Sequence, residues 1–346
     1  MNFKKPLVSI LIPNYNYSKY LDNCLESVLN QTYSNIEVIF RDNASTDDSY
    51  EKALKYQKMA KGHFFVGKNR RNIGSFGNTA RCFEEAEGNY ILYLSSDDAI
   101  KPTFVEKCME IMTEYKNIGF VMTHREEMDE EGNITEVPPF YNQSCVIPGE
   151  AQAAVFMMAG IAVPSQILRR REAIYSVAKE RMAFQIAADW YDNFVMSCTY
   201  DVGYIKDALC QYRIHNSNET NSSERDLMGV FEHYMLINAF KRIASSHGLQ
   251  KPVDRYEAAV EKLGDMCLRY CLKMLKINNK EIAHKYLYLA PVFKPNIINE
   301  ENYKALMSYA NQAAPIGSDI ISEFEKQGVF KRTISYDPPD GFIPIK

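Results

Sequence analysis

The stretch Asn89-Tyr90-Ile91-Leu92-Tyr93-Leu94-Ser95-Ser96-Asp97-Asp98 runs from strand formers straight into two hydroxyl residues and two adjacent carboxylates. Lys101-Pro102 follows, and Thr103 to Tyr115 reads as a helix. A buried strand that delivers two Asp residues to its carboxyl end, in an open α/β sheet, points to a ligand crevice. Two carboxylates there can hold a hard divalent cation, which can in turn hold phosphates. Asp and Ser are also ordinary turn formers and helix caps, so this stretch alone leaves both readings open.

Upstream, the same arrangement recurs. Leu7 to Ile12 is a short apolar run closed by Pro13-Asn14-Tyr15-Asn16-Tyr17. Tyr20, Leu21, Cys24, Leu25, Val28 and Leu29 then share one helical face, with Ser18 as the expected cap. Ile36 to Phe40 is a second strand, ending in Arg41-Asp42-Asn43-Ala44-Ser45-Thr46-Asp47-Asp48, and the helix after it is expected to be capped by Asp47 or Asp48. Phe64 to Val66 is a third strand, followed by a polar loop from Asn69 to Gly77 and a helix through Phe83. Strands alternating with helices predict a parallel sheet covered on both faces, whose polar strand ends converge on one edge. Three such ends, at 13–17, 42–48 and 95–98, make capping a poor explanation for the whole set.

Composition is that of an ordinary globular chain, with 346 residues, 46% hydrophobic and 24% charged. The net charge of −4 gives no reason to expect a nucleic-acid partner. Basic clusters are local, at Lys68, Arg70 and Arg71 and at Arg169-Arg170-Arg171. The 8 cysteines form no Cys-x-x-Cys pair, which points to a reducing, cytoplasmic compartment. Met1 to Pro6 leads directly into a strand, and no apolar run reaches the ~20 residues that span a bilayer, so any membrane role is expected to be peripheral, at the inner face.

Ile118 to Thr123 is a further strand, and Glu126 to Pro148 is expected to form surface hairpins or a flap. Ala151 to Ala159 reads as a packed helix and Ala162 to Leu168 as extended. Ala187-Ala188-Asp189-Trp190 opens a helix, and Asp201 to Ile205 and Ala208 to Arg213 read as two closing strands. Beyond a polar stretch at Asn218 to Glu224 the pattern turns helical, at Leu227 to Ser245, Arg255 to Leu275 and Asn279 to Leu289. Two regions are therefore expected, 1–220 and a helical 221–346. The helical region offers contacts to an acceptor, to a second copy in a homodimer, or to a membrane. Lys262, Arg269, Lys273 and Lys276 beside Leu263, Met266, Leu268, Tyr270 and Leu272 suit an anionic surface, but read first as the solvated face of a packing helix. The tail from Ser335 has no periodic pattern.

The ordered set Val8-Ser9-Ile10-Leu11-Ile12-Pro13-Asn14-Tyr15-Asn16, Asp42-Asn43-Ala44-Ser45-Thr46-Asp47, Asn72-Ile73-Gly74 with Asn78, Gly88-Asn89-Tyr90-Ile91, Ser96-Asp97-Asp98, Ala188-Asp189-Trp190 and Tyr212-Arg213-Ile214-His215 resembles the inverting glycosyltransferases of family 2. The resemblance covers about residues 6 to 217. It implies a GT-A type, Rossmann-like mixed sheet flanked by helices, here with a C-terminal α-helical extension. It also implies transfer of a sugar from a nucleoside diphosphate, UDP first among them, to a hydroxyl of a glycan or lipid-linked acceptor in surface polysaccharide biosynthesis. By the same resemblance Pro13, Tyr15, Asn16, Asn43, Asn72 and Ser96 line the nucleotide-sugar. Asp42 would accept from an imide N–H of the base, a task for an acceptor-only carboxylate. Arg71 and Arg81 are the candidate cations for the nucleotide. Asp97, Asp98 and His215 would hold Mn²⁺ or Mg²⁺, the imidazole favouring Mn²⁺. Asp189 would be the base that takes the acceptor proton.

The chain departs from the family pattern at two places. Ser95 stands where the first Asp of Asp-x-Asp belongs, and Ala188 where an acidic residue normally precedes the base. The first departure lends weight to an alternative, a non-catalytic nucleotide-sugar-binding scaffold in a polysaccharide assembly complex. Dinucleotide binding is disfavoured because no Gly-x-Gly-x-x-Gly follows the first strand. The other histidines, 63, 124, 233, 247 and 284, have no matching context. Trp190 reads as a core anchor or as a stacking surface for a sugar.

Overall fold

The computed structural model describes residues 5–60, 62–177, 184, 187–215, 227–312, 316–317, 324 and 334–345. The first half alternates as the periodicity demands. β1 (Val8–Asn14) leads to α1 (Ser18–Leu29), β2 (Ile36–Asp42) to α2 (Ser49–Met59), and β3 (His63–Lys68) to α3 (Gly74–Glu85). β4 (Tyr90–Tyr93) and the short β5 (Ala99–Ile100) precede α4 (Phe104–Glu114). β1, β2, β3 and β4 are parallel, and β1 is buried along both faces, as befits a strand covered by helices on each side.

The second half makes the sheet mixed. β6 (Ile118–Met128) folds back on β7 (Ile134–Thr135); β8 (Cys145–Ile147) precedes α5 (Gly149–Met158), and β9 (Ile167–Arg170) precedes α6 (Arg171–Tyr175). α7 (Ala188–Ser197) leads into β10 (Asp201–Arg213). Together with β11 (Ile343–Pro344), the strands among the described residues follow the order β11-β8-β10-β6-β9-β4-β1-β2-β3, with β5 on β10 and β7 on β6. β9 is the antiparallel seam between β4 and β6. The sheet is mixed, as the family resemblance implies, and the sequence reading needs three corrections here. The two closing strands are one, broken only by register shifts around Ala208. The strand from Ile118 continues to Met128. The tail adds a strand to β8 instead of staying irregular.

Arg169-Arg170-Arg171 is not an outward basic patch. Arg169 is buried, Arg170 donates to the carbonyl of Ile118 and to the Tyr90 hydroxyl, and Arg171 donates to the carbonyls of Gly88 and Ala86. These guanidiniums satisfy backbone oxygens at the lower edge of the sheet.

The C-terminal helices are α8 (Met228–Ser246), α9 (Gln250–Asp254), α10 (Tyr256–Lys276), α11 (Lys280–Phe293) and α12 (Glu301–Asn311). The expected boundary at 218–224 lies outside the described residues. One contiguous core runs from Val8 and Phe40 in the sheet to Leu263 and Leu287 in these helices. In α10, Leu263, Leu268, Tyr270 and Leu272 are buried, and Lys262 donates to the carbonyl of Met158 in α5, so this helix is a packing element. Among the described residues no helix is long and apolar enough to cross a membrane.

Gly88 is required by close approach. A Cβ there would lie 2.5 Å from the Ser9 hydroxyl and 2.9 Å from the Leu7 carbonyl oxygen. Its N–H also donates to Ser9 Oγ and to buried Glu37, which receives the Ser9 hydroxyl and the Glu87 N–H. Gly88→Ala is expected to cost about 1–3 kcal/mol, because backbone atoms, not flexible side-chain ends, must yield. Denaturant unfolding monitored by circular dichroism measures it; an unchanged midpoint would contradict the reading.

Candidate active site

The carboxyl ends of β1, β2 and β4 meet as the alternation predicts. At the first, Tyr15 is 42% exposed and Pro13 half-buried. Asn16 is left-handed at φ 58°, a conformation Asn tolerates better than most residues. Its N–H donates to Ser45 Oγ and its Oδ1 accepts from Thr46 N–H at 2.8 Å, which ties the two loops together. Ala44 is also left-handed, at φ 61°. Two such residues in facing loops are a strain worth keeping only if the loop shape matters.

Several polar residues in these loops hold the loops themselves. Asn43 is 2% exposed and spends its whole amide internally. Its Oδ1 accepts from Asn69 and from the Ile73 N–H, and its Nδ2 donates to Asn72 Oδ1 and the Gly74 carbonyl. Asn69 continues to Asn78, which donates to the Arg41 carbonyl. The expectation that Asn43 contacts the nucleotide is therefore corrected, since no donor or acceptor of its side chain faces outward. Asn72 Oδ1 is likewise engaged, by Asn43 and the Gly74 N–H, and Gly74 is left-handed at φ 79°. Asp42 is fully buried, accepting from Asn14 Nδ2 at 3.2 Å and the Ser45 N–H at 2.9 Å, with Lys68 Nζ at 3.7 Å. In this conformation it organises the loop and presents no surface to a base.

The capping expectations shift by one carboxylate. Ser18 is the first residue of α1, not its cap; its N–H and hydroxyl go to Asp47 and Asp48. Asp47 also accepts from the Ser49 N–H, so one carboxylate serves the starts of two helices. Arg71 and Arg81 are exposed, Arg81 beside Glu84 at 3.3 Å. Phe76 and Ile73, also exposed, add apolar surface to this loop.

At the end of β4 the two carboxylates separate in role. Asp97 Oδ2 lies 2.9 Å from His215 Nε2, although the two are 118 residues apart in the chain. The His215 ring is stacked 5.3 Å from Tyr20 and edge-on to Tyr17 at 5.7 Å, with 5% exposure, so its orientation is fixed by packing. Asp98 is 1% exposed and points inward. It accepts from the Arg213 N–H at 2.9 Å and from Ser165 Oγ at 2.6 Å. Burial, then the charge of Asp97, push its carboxyl above the ordinary carboxylate range, against these two bonds. The expectation that Asp98 joins Asp97 as a metal ligand is corrected: it is enclosed and held by protein donors. Ser96 is buried beside them in the turn, which the Asp98 N–H closes onto the Ser95 carbonyl.

Arg213 is the residue sequence reasoning passed over. It donates from Nε to the Asp97 carbonyl at 2.9 Å and from Nη1 to the Asp129 carbonyl at 2.6 Å, with its guanidinium 4.6 Å over the Tyr20 ring. It thus locks the carboxylate turn to β6, β10 and α1. Its place two residues before His215 was the available signal. Among the described residues no group of three or more His, Cys, Asp or Glu gathers around one point. Asp97 and His215 could supply one oxygen and one nitrogen donor, a third of a six-coordinate shell that phosphate oxygens and water would have to complete.

Asp189 stands in the first turn of α7, its Oδ1 accepting from the Trp190 N–H at 2.8 Å. α7 leads directly into β10, the strand that carries Arg213 at its end with His215 two residues beyond. Trp190 is a core anchor, not an open sugar platform: it is 8% exposed and donates from Nε1 to the Phe156 carbonyl. A Cβ on Gly160 would lie 3.2 Å from its ring, and the segment from Gly160 leads to Ser165, the partner of Asp98. The base candidate and the carboxylate turn are thus braced by one stretch of chain.

The family model of Glycosyl transferase family 2 matches residues 9–177. An uncharacterized glycosyltransferase of Nostoc sp. is 31% identical over 224 residues, which are 62% of this chain and 67% of that one. Chondroitin synthase of Escherichia coli is 39% identical over 129 residues, 37% of this chain but only 18% of that longer protein. The crystal structure of Staphylococcus aureus TarS 1–349 superposes with a TM-score of 0.56, covering 98% of this chain and 96% of that one, at 14% identity. That likeness extends through the C-terminal helices and establishes the fold. With the ordered strand ends, the family match and the Nostoc relative in agreement, the chain belongs to glycosyl transferase family 2.

Proposed function

We propose that this protein is an inverting, metal-dependent glycosyltransferase. It moves a sugar from a nucleoside diphosphate, UDP in the first instance, to a hydroxyl of a glycan or lipid-linked acceptor in surface polysaccharide synthesis. The observation that carries the reading is the pairing of Asp97 with His215 beyond the carboxyl ends of β4 and β10. The names of relatives agree with it: chondroitin synthase, a putative teichuronic acid biosynthesis glycosyltransferase, and TarS crystallised with UDP-GlcNAc.

The reaction needs one base and no side-chain nucleophile. Asp189 takes the proton of the acceptor hydroxyl; that oxygen attacks the anomeric carbon as the bond to the diphosphate breaks, and UDP leaves. Exposed Tyr15 offers a face to the base of the nucleotide, and the Asn16–Thr46 and Asn43–Asn72 bonds hold the loops in shape around it. Asp97 and His215 are the residues that would hold Mn²⁺ or Mg²⁺, and such a cation neutralises charge on the departing diphosphate. The buried cysteine thiols are pushed up by burial, as at Cys108, and take no part.

The test is release of UDP from a panel of UDP-sugars without acceptor. Slow turnover of one of them, stimulated by Mn²⁺ and abolished by a chelator, is expected. Binding without turnover across donors and acceptors would instead favour the scaffold reading.

A further inference from the structure

α8 belongs to the C-terminal helices, far from the motifs that define the family, yet it touches the start of α7. Glu232 of α8 is 8% exposed, and its Oε1 accepts from the Ala187 N–H at 3.0 Å. Ala187 is the N-cap residue of α7, two positions before Asp189. The next residue, His233, sets its ring 5.4 Å from the Trp190 ring. Two turns along α8, Phe240 stacks on Phe194 at 3.8 Å and meets Trp190 edge-on at 5.8 Å. α7 has no side-chain cap of its own. The first N–H groups of a helix need outside partners, and a buried one left unpaired is costly. Here the partner of the cap residue's N–H is a carboxylate from another region of the chain, in a polarity that suits a helix N-terminus.

We propose that Glu232 is a positioning residue for Asp189. By fixing the backbone N–H of the residue that caps α7, with His233 and Phe240 packed on the adjoining ring, α8 sets where the base carboxylate stands. The helical region is then part of the catalytic apparatus. The proposal rests on the reading of Asp189 as base. Its physical basis is that a displacement near 1 Å in a catalytic group costs about 10²-fold in rate.

The full chain carries its own probe, because Trp190 is its sole tryptophan. Acrylamide quenching of intrinsic fluorescence therefore reads the start of α7 without any substrate. In Glu232→Ala the quenching constant is expected to rise, and in Glu232→Gln to return to the wild-type value, since the amide oxygen still accepts from the Ala187 N–H. UDP release from UDP-glucose, UDP-galactose and UDP-N-acetylglucosamine should follow. The kcat falls about ten- to a hundredfold in Glu232→Ala, with KM and the Kd for UDP unchanged, and recovers in Glu232→Gln. Unchanged quenching in Glu232→Ala overturns the proposal. Loss of UDP binding together with kcat, or no rescue by Gln, also overturns it, because either marks a general structural role. Full turnover in Asp189→Asn would overturn the base assignment itself. An inactive Asp189→Asn beside a fully active Glu232→Ala would overturn only the role given to Glu232.

Discussion

Asp189→Asn is expected to lower sugar transfer by about 10²–10⁴-fold, the range of a lost general base, while UDP should bind as tightly as to the wild type. The asymmetry follows from the geometry. Asn keeps the volume of Asp and an oxygen to accept from the Trp190 N–H, so the first turn of α7 retains its bond. It cannot take a proton from the acceptor hydroxyl. The nucleotide loops, at 13–16 and 42–46, do not depend on this side chain. Calorimetric Kd values for UDP and initial rates with the acceptor check the two halves separately. A mutant that transfers at the wild-type rate would remove Asp189 from the mechanism.

Asp97→Asn is the second large effect. A cation that stabilises a departing diphosphate contributes several kcal/mol, and a loss of about 3 kcal/mol is a factor of about a hundred in rate. The expected outcome is a fall of that order, with Mn²⁺ no longer stimulating what remains. The fold should survive, because the Asp97 side chain holds His215, whereas the turn itself is held through Asp98, Ser165 and Arg213. Asp98→Asn should act differently, lowering stability as well as rate, since its carboxylate is a buried acceptor for two donors. Thermal melts beside Mn²⁺ titrations of turnover separate the two residues. Equal loss of melting temperature in both variants would contradict the division of labour.

How much of this was legible follows from what the sequence carries locally. Apolar runs closed by polar clusters fixed β1, β2 and β4 and the edge where their ends meet, because burial on both faces and strand termination are both nearest-neighbour signals. The pairing of Asp97 with His215 was reachable only through family resemblance, since nothing local links residues 118 apart. The misreadings have a common cause. Asn43 and Asp98 are the right residue types in the right places, but their side chains turn inward to satisfy backbone groups of neighbouring segments. Composition cannot tell a carboxylate that faces a ligand from one that faces an N–H. Arg213 was given no role for the same reason, and the cluster at 169–171 was noted only as basic; their guanidiniums serve carbonyls. The reach of Glu232 to α7 has no signature in sequence at all, because it joins α8 to a helix start 45 residues earlier through a buried bond.

The central claim is that Asp97 and His215 hold a cation whose remaining ligands come from a nucleotide diphosphate and water. Calorimetric titration of UDP into the full-length chain, once with Mn²⁺ and once with a chelator, tests it most directly. The expected result is binding that tightens markedly with Mn²⁺ in the wild type and shows no such gain in Asp97→Asn. The same affinity with and without the metal, or no binding of UDP in either condition, would contradict it.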